Sequence, residues 1–238
     1  MNAFRFIYGL EVALLFAWSG IAAQPCQEGF GISYTRFLKE IRQFENSVSS
    51  QVQRPIVFYG SSSLRMWETL AQDFAPLPVV NRGFGGATLA EMNYYFERVL
   101  KPLNPSVIVA YGGENDLAHP MWCLDSLQKR FRTFMALRDK HFPGTPVVYI
   151  LIKNSPKRAA FQFQFETFNR WVQSVAHSFP NLYLFDGNRA LSPSGSIPPH
   201  SVFKPDSLHL GPEGYKLWAE GLRPVLTALY QVQSRPGP

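Results

Sequence analysis

Three consecutive serines, Ser61, Ser62 and Ser63, follow the apolar run Ile56-Val57-Phe58-Tyr59 and Gly60, and a helical spacing of Leu64, Trp67 and Leu70 begins directly after them. A serine at a strand-to-helix junction stands above the carboxyl edge of a sheet, where its hydroxyl is exposed and first-turn N–H groups can face a developing oxyanion. Serine also caps helices, so the junction alone does not separate a nucleophile from a cap. A nucleophilic serine needs a base and a group that orients the base. Asp206 and His209 in PDSLHLGPEGY supply both, three residues apart, so that one local turn can hold them. The imidazole would take the serine proton and return it to the leaving alcohol, while the carboxylate sets its tautomer. Asn115 in YGGENDL follows the apolar run 107–111, and its amide can donate to an oxyanion without ionising. Gly86 in NRGFGGATL can bring a backbone N–H close to the same point because it lacks a Cβ. Taken singly, each is equally a turn residue.

In chain order the four blocks resemble the SGNH hydrolases, also called GDSL-type lipases and acylhydrolases, over residues 55–226. The first block of that family, Gly-Asp-Ser, stands here as Gly60-Ser61-Ser62. This assigns the nucleophile to Ser62, with a serine in the place of the family's aspartate and Ser61 and Ser63 as the alternatives. Gly113-Glu114-Asn115-Asp116 matches the Gly-x-Asn-Asp block, and Asp206 with His209 matches Asp-x-x-His. The resemblance implies a serine esterase with Ser62, Asp206 and His209 as catalytic residues and an oxyanion hole of the Ser62 N–H, Gly86 and Asn115. It implies lysophospholipid, thioester or acylated carbohydrate as substrate class, with no cofactor and no metal. The alternative from another class is a non-catalytic carbohydrate- or lipid-binding module, whose mark would be a missing triad or oxyanion residue. None is missing.

Other chemistries fit less well. Leu64 occupies the last position of what would be a Gly-x-Ser-x-Gly elbow, and the aspartate and histidine are near neighbours, which disfavours an ordinary α/β-hydrolase. Gly83-Phe84-Gly85 imitates a dinucleotide fingerprint but lacks its third glycine and sits after the second strand. His119, His141, His177 and His200 are scattered, so no metal-ligand spacing is formed. The net charge of +6 is spread over the chain, and its densest cluster, Lys129, Arg130 and Arg132, falls in a helix. That argues against nucleic acid and leaves peripheral contact with a membrane or cell-wall polymer open. Oligomeric state is not encoded legibly.

The elements that must position these residues are marked by period. Apolar runs at 56–59, 78–81, 107–111, 146–152 and 182–185 read as buried strands, separated by helical spacings at 34–51, 89–99, 124–141, 161–179 and 214–229. Thr88 and Glu91 form a capping box, and residues 188–205 read as a long loop. Alternating strands and helices predict a parallel sheet covered on both faces. The expected fold is a three-layer α/β/α sandwich with a five-stranded sheet in flavodoxin-like order. Phe84 with Gly85, and residues 117–122, are the short segments that can wall the site.

With 238 residues and 46% hydrophobic composition the chain fits a single domain, expected at residues 24–238. Residues 1–23 resemble a signal peptide: Arg5, then an apolar stretch, then Ala22-Ala23. This predicts export to periplasm or medium, although Glu11 inside the stretch keeps a membrane anchor or a cytoplasmic product as alternatives. Two cysteines, Cys26 and Cys123, could pair after export or stand as independent thiols.

Overall fold

The apolar runs become five parallel strands: β1 (Ile56–Gly60), β2 (Val79–Gly83), β3 (Val107–Tyr111), β4 (Val147–Ile150) and β5 (Leu182–Phe185). They pair in the order β2-β1-β3-β4-β5, the expected flavodoxin-like arrangement. The computed structural model describes residues 33–47, 53–119, 123–194 and 197–234. The leader and its cleavage site lie outside these residues.

Because strand side chains alternate, each strand feeds two cores. Val57 and Tyr59 of β1, Ile108 and Ala110 of β3, and Val147 and Tyr149 of β4 pack on one face. Against them lie α1 (Leu38–Asn46), α4 (Leu89–Leu100), α6 (Leu124–His141) and α7 (Gln162–Val175). On the other face Ile56, Phe58, Val107, Val109 and Tyr111 meet α2 (Ser62–Arg65), α3 (Leu70–Phe74), α8 (Gly187–Leu191) and α9 (Pro212–Gln233). A single-turn helix, α5 (Glu114–Leu117), follows β3. Both faces of the central strands are buried, which is why they read as continuous apolar runs rather than as alternating ones.

The chain crosses from β1 to β2 on one side and returns to β3 on the other, so strand order reverses between β1 and β3. In open α/β sheets that switch point is where ligands bind. Ser62 follows β1 and Asn115 follows β3, on the two sides of it.

Two local expectations change. The helix on Leu64, Trp67 and Leu70 is two short helices, because Trp67 leaves the helical path to bury its indole. The ring is 1% exposed, stacks on Tyr215 at 4.9 Å and donates to Asp73 at 2.6 Å. The loop expected at 188–205 opens with α8, which Asp186 starts by accepting the N–H groups of Asn188 and Arg189, each at 3.1 Å. Asp is a strong N-cap, and that signal stood two residues before the expected loop. Cys123 is disulfide-bonded and caps α6 by accepting from the Ser126 N–H; Cys26 lies outside the described residues. Among the described residues no helix is long and apolar enough to cross a membrane.

Candidate active site

Gly60 is where β1 passes close to the backbone of β3. Its Cα faces the backbone of Tyr111, and a Cβ there would collide with the Tyr111 carbonyl oxygen. The turn that follows is fixed by Ser61 N–H donating to that same oxygen at 3.0 Å, and by Leu64 and Arg65 N–H donating to Ser61 O. Ser61 is the N-cap of α2 by backbone geometry, yet its side chain makes no capping bond. Ser61 and Ser63 are 1% and 0% exposed, whereas Ser62, the first helical residue, is partly exposed and reaches the cleft. Of the three serines, the structure therefore presents Ser62.

The turn carrying Asp206 and His209 meets it from the other side of the cleft. His209 Nε2 lies 3.0 Å from Ser62 Oγ, and His209 Nδ1 lies 2.6 Å from Asp206 Oδ2. The second carboxylate oxygen accepts the N–H groups of Leu208 and His209, each at 3.0 Å. Burial works against the charge on Asp206, but the His209 imidazole bond and these two backbone bonds outweigh it and hold the carboxyl down to about 2. Ser207 takes a left-handed backbone (φ 56°), which costs about 1–3 kcal/mol and persists only where its surroundings impose it. Here they do: Ser207 O accepts from Lys157 N–H at 3.0 Å and Ser207 Oγ meets His200 Nδ1 at 3.2 Å. The carboxylate can only accept, so Nδ1 carries the proton and Nε2 is free to accept one from Ser62.

Gly86 sits just before the capping box of α4, with φ +77°, a conformation that favours glycine. The box forms as expected: Glu91 N–H donates to Thr88 Oγ1 at 3.3 Å and Thr88 N–H donates to Glu91 Oε2 at 2.9 Å. Asn115 Nδ2 donates to Ala87 O at 3.0 Å, which ties the β3 side of the cleft to the Gly86 turn and leaves its second amide hydrogen free of that bond. Asp116, the last residue of the same block, accepts Leu89 N–H at 2.9 Å and Arg130 at 2.8 Å, bracing the start of α4. Ser62, Gly86, Asn115 and His209 line one cleft of about 410 Å³.

Sequence reasoning missed the floor of this cleft. Glu114 is 3% exposed and receives Tyr111 OH at 2.5 Å, Lys153 Nζ at 2.9 and 3.1 Å, and Arg158 Nη1 at 3.2 Å. Burial alone would push its carboxyl up, but Lys153 and Arg158 reverse this and keep it below the usual range. Arg158 also donates through Nη2 to Asn115 Oδ1 at 2.9 Å. The available signal was position: Lys153 and Arg158 follow β4, whose carboxyl end opens on the same edge as β1 and β3.

Phe84, expected to wall the site, does not. It is 0% exposed and packs on Phe37, Tyr59 and Tyr95 at 5.0–6.1 Å, because the residue after β2 turns inward beneath the Gly85-Gly86 turn. Gly85 does line the cleft, residues 120–122 lie outside the described residues, and Leu208 is the one apolar side chain among the described lining residues. Two other hollows, about 360 Å³ beside β4 and β5 and about 600 Å³ against α4, hold no serine beside a histidine. Among the described residues no group of three or more His, Cys, Asp or Glu is placed to hold a metal ion.

The chain is similar in fold to a proposed acylhydrolase from Bacteroides fragilis, at 17% identity and a TM-score of 0.70, over 85% of this chain and 99% of that one. It is similar to a GDSL-like lipase from Bacteroides thetaiotaomicron, at 16% identity and a TM-score of 0.61, over 81% and 98%. It also resembles a carbohydrate esterase family 3 protein from Talaromyces cellulolyticus, at 14% identity and a TM-score of 0.60, over 75% and 99%. No curated protein sequence matches. A family model matches residues 46–217, and the chain belongs to the GDSL-like Lipase/Acylhydrolase family.

Proposed function

We propose that this protein is a serine ester hydrolase acting on short-chain acyl esters, with acylated carbohydrate as the substrate class that fits best. The observation that carries this reading is the continuous path from Ser62 Oγ through His209 to Asp206, at 3.0 and 2.6 Å. His209 Nε2 takes the Ser62 proton as Oγ attacks the ester carbonyl carbon. The resulting oxyanion is held by the Ser62 N–H, the Gly86 N–H and the second amide hydrogen of Asn115. Collapse expels the alcohol, which takes its proton from His209, and water then releases the acid from Ser62 by the same steps.

Two features support the substrate class. Polar side chains, Glu40 and Arg65 among them, wall the cleft, and among the described residues the one apolar side chain there is Leu208, so these walls give a long acyl chain little to bury against. A hydroxylated alcohol portion suits such walls, and the similar fungal protein is named a carbohydrate esterase. Export of the mature chain from near Gln24 agrees with the disulfide at Cys123, a bond that persists in oxidising compartments. The test is hydrolysis of acetylated sugars, graded p-nitrophenyl esters and a lysophospholipid by the wild type and Ser62→Ala. The reading expects turnover of the first two that is lost in the variant. No hydrolysis of any ester, or equal rates with Ser62→Ala, would overturn it.

A further inference from the structure

We propose that Arg158 is a positioning residue for the oxyanion site, acting through Asn115; the inference rests on the hydrolase reading above. An asparagine amide can be seated in two ways, and only one of them offers hydrogen to the cleft. Here Oδ1 receives Arg158 Nη2 at 2.9 Å while Nδ2 donates to Ala87 O at 3.0 Å. Turning the amide over would set its NH2 against the guanidinium and its oxygen against a carbonyl, so both contacts would become repulsive. Ala87 alone satisfies one end of the amide, and Arg158 decides the other.

The guanidinium is itself held. Its Nη1 reaches the Glu114 carboxylate at 3.2 Å and the Glu114 carbonyl at 3.2 Å, and Lys153 and Tyr111 fix that carboxylate from behind. Arg158 lies in the turn after β4, whose neighbouring Lys157 N–H donates to Ser207 O at 3.0 Å. One short segment therefore joins the Asn115 side of the cleft to the Asp206–His209 turn. Bonds from charged donors are the stronger ones, and a planar fork can reach Glu114 and Asn115 at once where an ammonium cannot.

The test is a double-mutant cycle of Arg158→Met and Asn115→Ala, with Arg158→Lys as the conservative variant and a thermal melt for each protein. Loss of an oxyanion donor costs about 10²–10³ in kcat, which is the ceiling for a residue acting through it. Arg158→Met is expected to lower kcat about 10- to 100-fold with KM within about 2-fold, because the interaction serves the transition state. Arg158→Lys should melt close to the wild type, since it keeps a cation for Glu114, and should recover only part of kcat. In the Asn115→Ala background Arg158→Met should cost less than about 3-fold. Multiplicative losses across the cycle, a raised KM at unchanged kcat, or full activity in folded Arg158→Met and Arg158→Lys would each overturn the proposal. All of these leave the loss of activity in Ser62→Ala untouched, so failure here is distinguishable from failure of the hydrolase reading.

Discussion

Replacing Asp206 by asparagine changes one atom and should disable the base from a distance. Oδ1 of Asp206 accepts two backbone N–H groups, from Leu208 and His209 at 3.0 Å each, so an asparagine at 206 keeps its oxygen there and turns its NH2 toward His209 Nδ1. That NH2 can only donate across the 2.6 Å contact, which forces Nδ1 to accept and moves the imidazole proton to Nε2, the atom facing Ser62 at 3.0 Å. His209 then has no lone pair for the serine proton. Restoring the productive tautomer requires flipping the amide and giving up two hydrogen bonds worth about 1–3 kcal/mol together. The lost charge-assisted bond to the imidazolium adds about 1.5–3 kcal/mol. At 1.36 kcal/mol per decade the sum predicts a fall in kcat of about 10²–10⁴. Asp206→Ala should lose no more than Asp206→Asn, because the site is half exposed and water can accept from Nδ1–H. Steady-state hydrolysis of a p-nitrophenyl ester by both variants, with thermal melts to confirm folding, measures this. A folded Asp206→Asn enzyme that keeps more than about a tenth of wild-type kcat would refute the tautomer argument.

Gly86→Ala should destabilise the fold by about 1–2 kcal/mol through its positive φ, a drop in Tm of about 2–8 °C, and should lower kcat as the backbone N–H rotates away. The clash of the new Cβ with Arg36, 2.5 Å away, is relieved by that exposed side chain, so a neutral result would mean that the φ constraint is absent. Because the folded-state pKa of Asp206 is lowered from 3.8 to about 2, its carboxylate stabilises the fold above the unfolded value and that contribution disappears as pH falls through the folded one. The stability gap between wild type and Asp206→Asn in urea should therefore shrink as pH falls from about 5 toward 2, and a gap that does not change over that range would contradict the assignment. On graded p-nitrophenyl esters kcat/KM should peak at about two to eight acyl carbons, since each further CH2 gains about 0.8 kcal/mol only where apolar wall can bury it. A maximum at about twelve carbons or more would show an apolar wall that Leu208 alone does not provide.

The strands were legible because each central strand is buried on both faces, so Ile56–Gly60 and Val107–Tyr111 appear as unbroken apolar runs. The alternation with helices made the sheet parallel, and its strand order came with the family resemblance. The residues lining the cleft were legible for a local reason: Gly60 to Ser62, Gly113 to Asp116 and Asp206 to His209 are short segments whose spacing survives folding. What escaped depends on contacts between strands. Tyr111, Glu114, Lys153 and Arg158 meet only because β3 and β4 are neighbours, and nothing in the spacing of a glutamate at 114 and an arginine at 158 announces a hydrogen-bonded pair around an asparagine. Phe84 was misplaced for a related reason. An aromatic residue in a glycine-rich turn has the composition of a pocket wall, and only the direction of the turn shows that it closes the core beneath Gly85. Trp67 likewise breaks a helical spacing that its neighbours would otherwise continue.

In the proposed mechanism Ser62, and neither of the serines beside it, takes the acyl group. Reaction with a fluorophosphonate, which phosphonylates a serine activated by a neighbouring base, followed by peptide mass spectrometry, reads this directly. Stoichiometric loss of esterase activity is expected with a single adduct on Ser62, and no adduct in His209→Ala, which lacks the base. An adduct on Ser61 or Ser63, or complete inactivation with Ser62 unmodified, would contradict it.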